Sequence, residues 1–370
     1  MAAINANNKQ AMRARCRIIA AENSNTITPK IIQELPNLRP AMAEKINLNA
    51  LAPLNPADCP RFILSAANYP ELPDIVANSR AHLAYPATTA LPDQRWYGTM
   101  LKVINQDTFD CAMSLPSAIF GLTTADKNAD RLERKMLRRL QNVCGQPDKL
   151  QQIAGRVAVM NFANESNPGG GWTNGALAQE EYLCYRSTLG ASLLQTHYPW
   201  QPREGLYTQD VVIYREAIGY TPPDFGHRLL PQTSYIGGAE NLPVVSALSV
   251  AAIFRPRTHR GSNNPNNTYY SNPSHRELTK DKIRLTLRMA ARKGHTIIVL
   301  GAFGCGAFAN PPTGVCHCFT EVLQEPEFQG GWFKEIWFAV LDPQREGNYP
   351  IFRDHMTREA YMVSDKVPAP

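Results

Sequence analysis

The stretch that most limits the fold is "RVAVMNFANESNPGGGWTNGALAQEE", residues 156–181. Its first seven residues carry a continuous apolar core instead of an alternation. A strand of that kind is covered on both faces, the condition of a sheet flanked by helices on each side. "TIIVLGAF", 296–303, and "EIWFAVLD", 335–342, have the same character. "TMLKVINQD", 99–107, "DVVIYREA", 210–217, and "PVVSALSVAAI", 243–253, also read as strands. Between them lie helical stretches. "ALAQEEYLCYRSTLGASLL", 176–194, reads as one helix with Asn174 as a plausible N-cap. "RELTKDKIRLTLRMAARKG", 276–294, sets Ile283, Leu287, Ala290 and Ala291 on one face, with Gly294 as a stop. The expected fold is α/β: a mixed, mostly parallel sheet flanked by helices.

The residues before 99 behave differently. Residues 23–96 are rich in Pro and Asn and poor in long periodic segments, which suits short helices and loops that wrap another unit. The expected division is an N-terminal helical and Pro-rich extension over 1–98, a catalytic domain over 99–345 and a tail over 346–370. The polar, turn-rich 261–274 reads as a surface loop. The start, "MAAINANNKQAMRARCRIIAAE", has four basic residues and no acid before Glu22. It reads as the first helix of the fold in a cytoplasmic or nuclear protein, with a mitochondrial presequence as the alternative. No apolar run of about 18 residues occurs, so no transmembrane span and no membrane partner are read. The eight cysteines have no paired-ligand spacing, so no metal site is read. A net charge of +6 favours an anionic ligand, and Arg131, Arg134, Lys135, Arg138 and Arg139 concentrate part of it on one short helix.

Chemistry enters through two glycine loops. Gly169, Gly170 and Gly171 follow the strand at 156–162, and Gly301, Gly304 and Gly306 follow the one at 296–300. The second loop runs into Pro311 and Pro312, good first-turn residues of a helix. Glycine lets backbone approach a ligand, and a helix N-terminus offers N–H groups and a positive dipole end to phosphate. Two such loops at strand C-termini of one sheet suit a diphosphate. Neither is a Walker A loop or a dinucleotide fingerprint.

"NFANESNPGGGWTNGALAQEE" followed by "LGAFGCGAFANPP" resembles the bacterial-type poly(ADP-ribose) glycohydrolases, which are modified macrodomains. The resemblance covers roughly residues 99–342. It implies hydrolysis of ribose–ribose bonds in poly(ADP-ribose), with Glu181 as catalytic acid and Glu180 as its ribose-holding partner. It implies that Gly169, Gly170 and Gly171 grip the diphosphate, that Asn164 contacts the distal ribose, and that Gln179 belongs to the substrate site. Gly304, Cys305, Gly306 and Ala307 would cover the diphosphate from the other side, and Phe308 would pack on the distal ribose. It further implies a cofactor-free monomer acting on poly(ADP-ribose), ADP-ribose and ADP-ribosylated proteins, without direct nucleic-acid contact, in the turnover of ADP-ribosylation and the DNA damage response.

The residues add a mechanistic constraint. Ordinary glycosidases place two carboxylates about 5–9 Å apart across the sugar. Adjacent helical residues diverge by about 100°, so Glu180 and Glu181 do not form an acid–nucleophile pair. One acid must serve both steps. Two other functions share the same pocket: a reader that binds ADP-ribose without cleaving it, and a hydrolase of another ADP-ribosyl bond.

Overall fold

The computed structural model describes residues 6–55, 82–84, 98–115, 156–217, 228–230, 242–262, 264–328, 332–333, 335–342 and 347–364. The basic stretch 130–141, most of 56–97, and Cys59 and Cys144 lie outside them. The main sheet has eight strands: β1 (Glu44–Asn47), β2 (His82–Ala84), β3 (Gly98–Ile104), β4 (Val157–Ala163), β5 (Glu204–Val212), β6 (Val244–Ala251), β9 (Ile297–Gly301) and β10 (Glu335–Ala339). Their order is β1-β5-β6-β4-β9-β10-β3-β2. The five strands from β6 to β3 are parallel, and the flanking pairs are antiparallel. Two further strands, β7 (Thr258–Arg260) and β8 (Thr268–Tyr270), make a separate hairpin whose second strand lies inside the expected loop 261–274.

Among the described residues the α-helices, in chain order, are α1 (Ala6–Glu22), α2 (Thr28–Glu34), α3 (Thr108–Met113), α4 (Gln179–Arg186), α5 (Leu189–Ser192), α6 (Pro273–Arg292), α7 (Pro312–Leu323) and α8 (Asn348–Ser364). Alternate strand residues point to opposite sides. Ala158, Met160, Ile298, Leu300, Ile336 and Phe338 pack with α6 and α7 on one face. Val157, Val159, Ile297, Val299 and Trp337 pack with α3 and α4 on the other. This two-sided burial is why β4, β9 and β10 read as unbroken apolar runs.

Several boundaries differ from the sequence reading. The expected helix 176–194 is two helices, because Ser187 turns to extended backbone and Thr188 after it bonds the end of β5. Thr188 N–H donates to Val212 O (3.0 Å), and Val212 N–H donates to Thr188 Oγ1 (3.0 Å). Asn174 is not an N-cap; it lies in a short 3-10 turn, and α4 begins five residues later. Strand β5 starts at Glu204 rather than 210. Its irregular register between Thr208 and Val211 goes with Asp210, which forms a buried ion pair with Arg156. The segment before 99 supplies both edge strands, β1 and β2, and the tail contains α8, which packs on α7 and β3.

Helix α1 belongs to the fold. Met12, Cys16, Ile19 and Ala20 are buried around Tyr185 of α4. Asn23 Nδ2 donates to Tyr185 O (2.8 Å), capping a carbonyl near the end of α4. Arg215 fixes the junction, donating to Asn23 Oδ1 and Glu22 Oε2, each at 2.8 Å. The closest approach is at Gly175, whose φ is +78° and whose Cα lies against the Arg13 carbonyl. A Cβ at this position has no room. Gly175→Ala should cost about 1–2 kcal/mol for the left-handed backbone alone, and more for the collision. Urea melts should show that loss, and hydrogen exchange should show faster opening of α1 than of α6.

Candidate active site

A cavity of about 700 Å³ opens where β4, β6, β9 and β10 end. Phe162 and Ala163 line it from β4, Ala252 from just after β6, Ala302 from just after β9, Ala339 from the end of β10 and Val340 from just after it. Ligands of open α/β sheets bind at this end. The first turn of α4 enters the same wall with Gln179, Glu180 and Glu181. The glutamates are only 3% and 7% exposed, so this is no solvated helix face.

Each of the three residues is held by backbone. Gln179 Nε2 donates to Met160 O (2.8 Å), while its Oε1 accepts from Phe162 N–H (2.9 Å). Its amide thus pairs with β4 as a neighbouring strand would, and fixes where α4 starts. Glu180 Oε2 accepts from Asn164 N–H (2.8 Å), and Oε1 from Asn161 Nδ2 (3.3 Å). Burial pushes the Glu180 carboxyl well above the ordinary range; the Asn164 N–H opposes the rise, and the charge of Glu181 adds to it. Glu181 is the third residue of α4. Its Oε1 accepts from Gly171 N–H (2.9 Å) and its Oε2 from Ala178 N–H (3.1 Å). It therefore does half the work of a capping box, in place of the side-chain acceptor that Ala178 lacks.

The first glycine loop folds onto the protein. Gly169 and Gly170 have φ of +67° and +60°. Gly170 N–H donates to Asn167 O (3.0 Å), and Gly171 N–H donates to Glu181. These donors are engaged with the protein, and none of Gly169, Gly170 and Gly171 is on the cavity wall. A side chain on Gly170 would collide with Glu181 Oε1. The glycines here let backbone close around a carboxylate.

The second loop does face the cavity, through Gly304, Gly306, Ala307 and Phe308. Asn310 braces it, with Nδ2 donating to Ile253 O (2.7 Å) and Oδ1 accepting from Tyr270 Oη (2.9 Å). A Cβ on Gly306 would meet nothing within 4 Å, so its surroundings are open. Phe308 is half-buried and sits edge-on to Phe254, with ring centres 5.3 Å apart. Cys305 packs towards the core, not the cavity; its thiol donates to Phe303 O (3.6 Å), and burial pushes its pKa up. Trp172 is also off the wall, packed beneath the loop at Gly169 and Gly190 and 6.3 Å from the Tyr185 ring.

Asn164 lines the cavity, but its Oδ1 accepts from Ser166 N–H (2.8 Å) and Asn167 N–H (2.9 Å) and so shapes the loop. Sequence reasoning missed Asn161, which holds Glu180 and also donates to Ser249 Oγ (3.0 Å). Its signal was a polar residue inside an otherwise apolar buried strand. It also missed Lys9 and Met12, which reach the wall from α1, and Asp107 and Thr108 from the start of α3. Asp107 and Asp110 both pair with the fully buried Arg186, tying α3 to the far end of α4.

Residues 68–220 match the family model for the catalytic domain of microbial-type poly(ADP-ribose) glycohydrolase, or PARG. No curated protein matches the chain. Among solved structures, poly(ADP-ribose) glycohydrolase from Thermomonospora curvata is similar at a TM-score of 0.53 and 20% identity, over 93% of this chain and 98% of that one. The same protein bound to the inhibitor ADP-HPD gives 0.51 and 20%, over 92% and 98%. The Deinococcus radiodurans glycohydrolase in complex with ADP-ribose gives 0.46 and 26%, over 71% and 85%. The chain thus has the fold of the Thermomonospora curvata poly(ADP-ribose) glycohydrolase, and its residues 68–220 match the microbial-type catalytic domain.

Proposed function

We propose that the chain hydrolyses the ribose–ribose O-glycosidic bonds of poly(ADP-ribose) and releases ADP-ribose, with Glu181 as both general acid and general base. The observation that carries this reading is the Glu181 carboxylate, fixed by two N–H groups in the wall of a cavity that the open second glycine loop also lines. The match to the microbial-type catalytic domain supports the same substrate.

In the first step the bond from the anomeric carbon to the 2′-oxygen of the next unit breaks, and the Glu181 proton goes to that oxygen. The bond's electron pair leaves with the oxygen, and positive charge develops on the sugar. In the second step water attacks the anomeric carbon and its proton returns to Glu181, which restores the enzyme. The diphosphate of the bound unit, held along Gly304–Ala307, offsets the sugar's charge. Glu180 keeps the ribose in register and, being buried and disposed to stay neutral, can donate a hydrogen bond to a hydroxyl.

Glu181→Gln should lower the rate of ADP-ribose release about 10²–10⁴-fold, the usual range for lost acid–base catalysis. It should also cost about 1–3 kcal/mol of stability, because the amide NH2 would face one of the two N–H donors. Product release and urea melts on one preparation test both; near-normal turnover sinks the assignment.

Gly306→Val should weaken ADP-ribose binding by about tenfold or more, equivalent to about 1.4 kcal/mol, with little change in Tm, since its Cβ meets no protein atom. Calorimetry giving an unchanged affinity would move the diphosphate elsewhere.

Glu180 also predicts a pH effect. Its raised folded pKa favours the neutral form, so the stability it contributes is present below the unfolded value near pH 4.5 and is lost as pH rises through the higher folded value. Glu180→Gln removes that loss. A turn of the Asn161 amide would let its Oδ1, which has no partner among the described residues, accept from the new amide. The variant should therefore gain stability relative to the unaltered protein between pH 5 and pH 8 in urea titrations. An equal difference at both pH values would contradict the burial argument.

A further inference from the structure

Helix α1 places a row of cations beside the cavity that the mechanism above does not use. Lys9 is on the cavity wall. Arg13 and Arg17 follow at intervals of four, which in a helix makes one ridge about 12 Å long. All three are exposed, and none forms an ion pair among the described residues. The chain has no acid before Glu22, and Glu22 is already paired with Arg215. The ridge starts at the edge of the buried face formed by Met12, Cys16, Ile19 and Ala20, and turns towards solvent as it runs along the helix.

A basic amphipathic helix usually suggests a membrane surface or a partner groove. Neither suits α1, because its apolar face is already buried against Tyr185. Only the charged side is free. That side begins with Lys9 on the cavity wall, on a helix whose apolar face packs against α4, the helix that carries Glu181.

We propose that the Lys9–Arg13–Arg17 ridge is a phosphate-binding track for the part of a poly(ADP-ribose) chain beyond the bond being cut. This rests on the glycohydrolase reading. The terminal unit fills the cavity, its scissile bond faces Glu181, and the rest of the polymer must pass the neighbouring helix. Each further unit carries a diphosphate, and guanidinium groups suit phosphate oxygens. The track holds the leaving portion near the site after cleavage, so the next unit is presented at high local concentration.

The test compares the unaltered protein with Arg13→Gln/Arg17→Gln. Both substitutions are exposed and keep helix propensity, so Tm should not move. On long poly(ADP-ribose) at low salt the variant's KM should rise about tenfold with kcat held, and the log–log salt slope should flatten by about 1.4 units, at ~0.7 for each of the two lost phosphate contacts. Its affinity for monomeric ADP-ribose by calorimetry should be unchanged. Polymer kinetics that do not change in the variant, with ADP-ribose binding and cleavage intact in the parent, overturn the track alone. Single-stranded DNA of equal charge competing as well as the polymer, in a manner that depends on the two arginines, overturns its assignment to poly(ADP-ribose). Loss of both ADP-ribose binding and cleavage in the unaltered protein overturns the glycohydrolase reading, and the track falls with it.

Discussion

The carboxylate of Glu181 is the point on which the site depends. Two N–H groups reach it, one from Gly171 to Oε1 and one from Ala178 to Oε2. It caps its own helix, so the residue that would carry the chemistry also fixes where α4 begins. Removing it would disturb the start of the helix and the glycine loop together. The positive φ values at Gly169 and Gly170 follow from this need, because only a loop without side chains can fold back onto the carboxylate.

The other end of α4 is held just as firmly, by parts of the chain distant in sequence. Arg186 is fully buried and meets Asp107 and Asp110 of α3. Asn23 closes the Tyr185 carbonyl, and the Tyr185 hydroxyl donates to the Trp172 carbonyl (2.7 Å) beneath the glycine loop. A short helix has little stability of its own. Here eight residues are positioned by β4 at one end, by α3 at the other, and by α1 along the side. The N-terminal segment is thus part of the site's frame. It supplies Lys9 and Met12 to the cavity and the carbonyl that requires Gly175 to be glycine.

What the sequence revealed and what it hid follow from these contacts. Strands β4, β9 and β10 were legible because burial on both faces leaves unbroken apolar runs. The end of α6 was legible because Gly294, with φ of +81°, stops it where expected. The start of α4 was not legible. The usual signal is a side-chain acceptor at the N-cap, and Ala178 has none; the acceptor comes from Glu181, inside the helix. The break at Ser187 was hidden for a similar reason, since it answers to β5 rather than to any local preference. The buried glutamate pair could be read from its spacing to the glycine triplet. Its supports could not, because Asn161 and Gln179 act on partners that only the folded sheet brings near.

The two glycine loops look alike in sequence yet differ in what surrounds them. In the first, the space that glycine leaves is filled by the protein: Trp172 beside Gly169, and Glu181 beside Gly170. In the second, Gly304 is packed against Ala252 and Asn310 and sets the turn, while the space beside Gly306 is open. A glycine crowded by protein atoms serves the fold, and one facing empty space on a cavity wall can serve a ligand. By that criterion the second loop leaves room for a ligand, and the first loop is committed to the Glu181 carboxylate. Its Gly171 N–H, together with the Ala178 N–H at the start of α4, holds that carboxylate still, which a solvent-exposed glutamate on a helix face could not arrange.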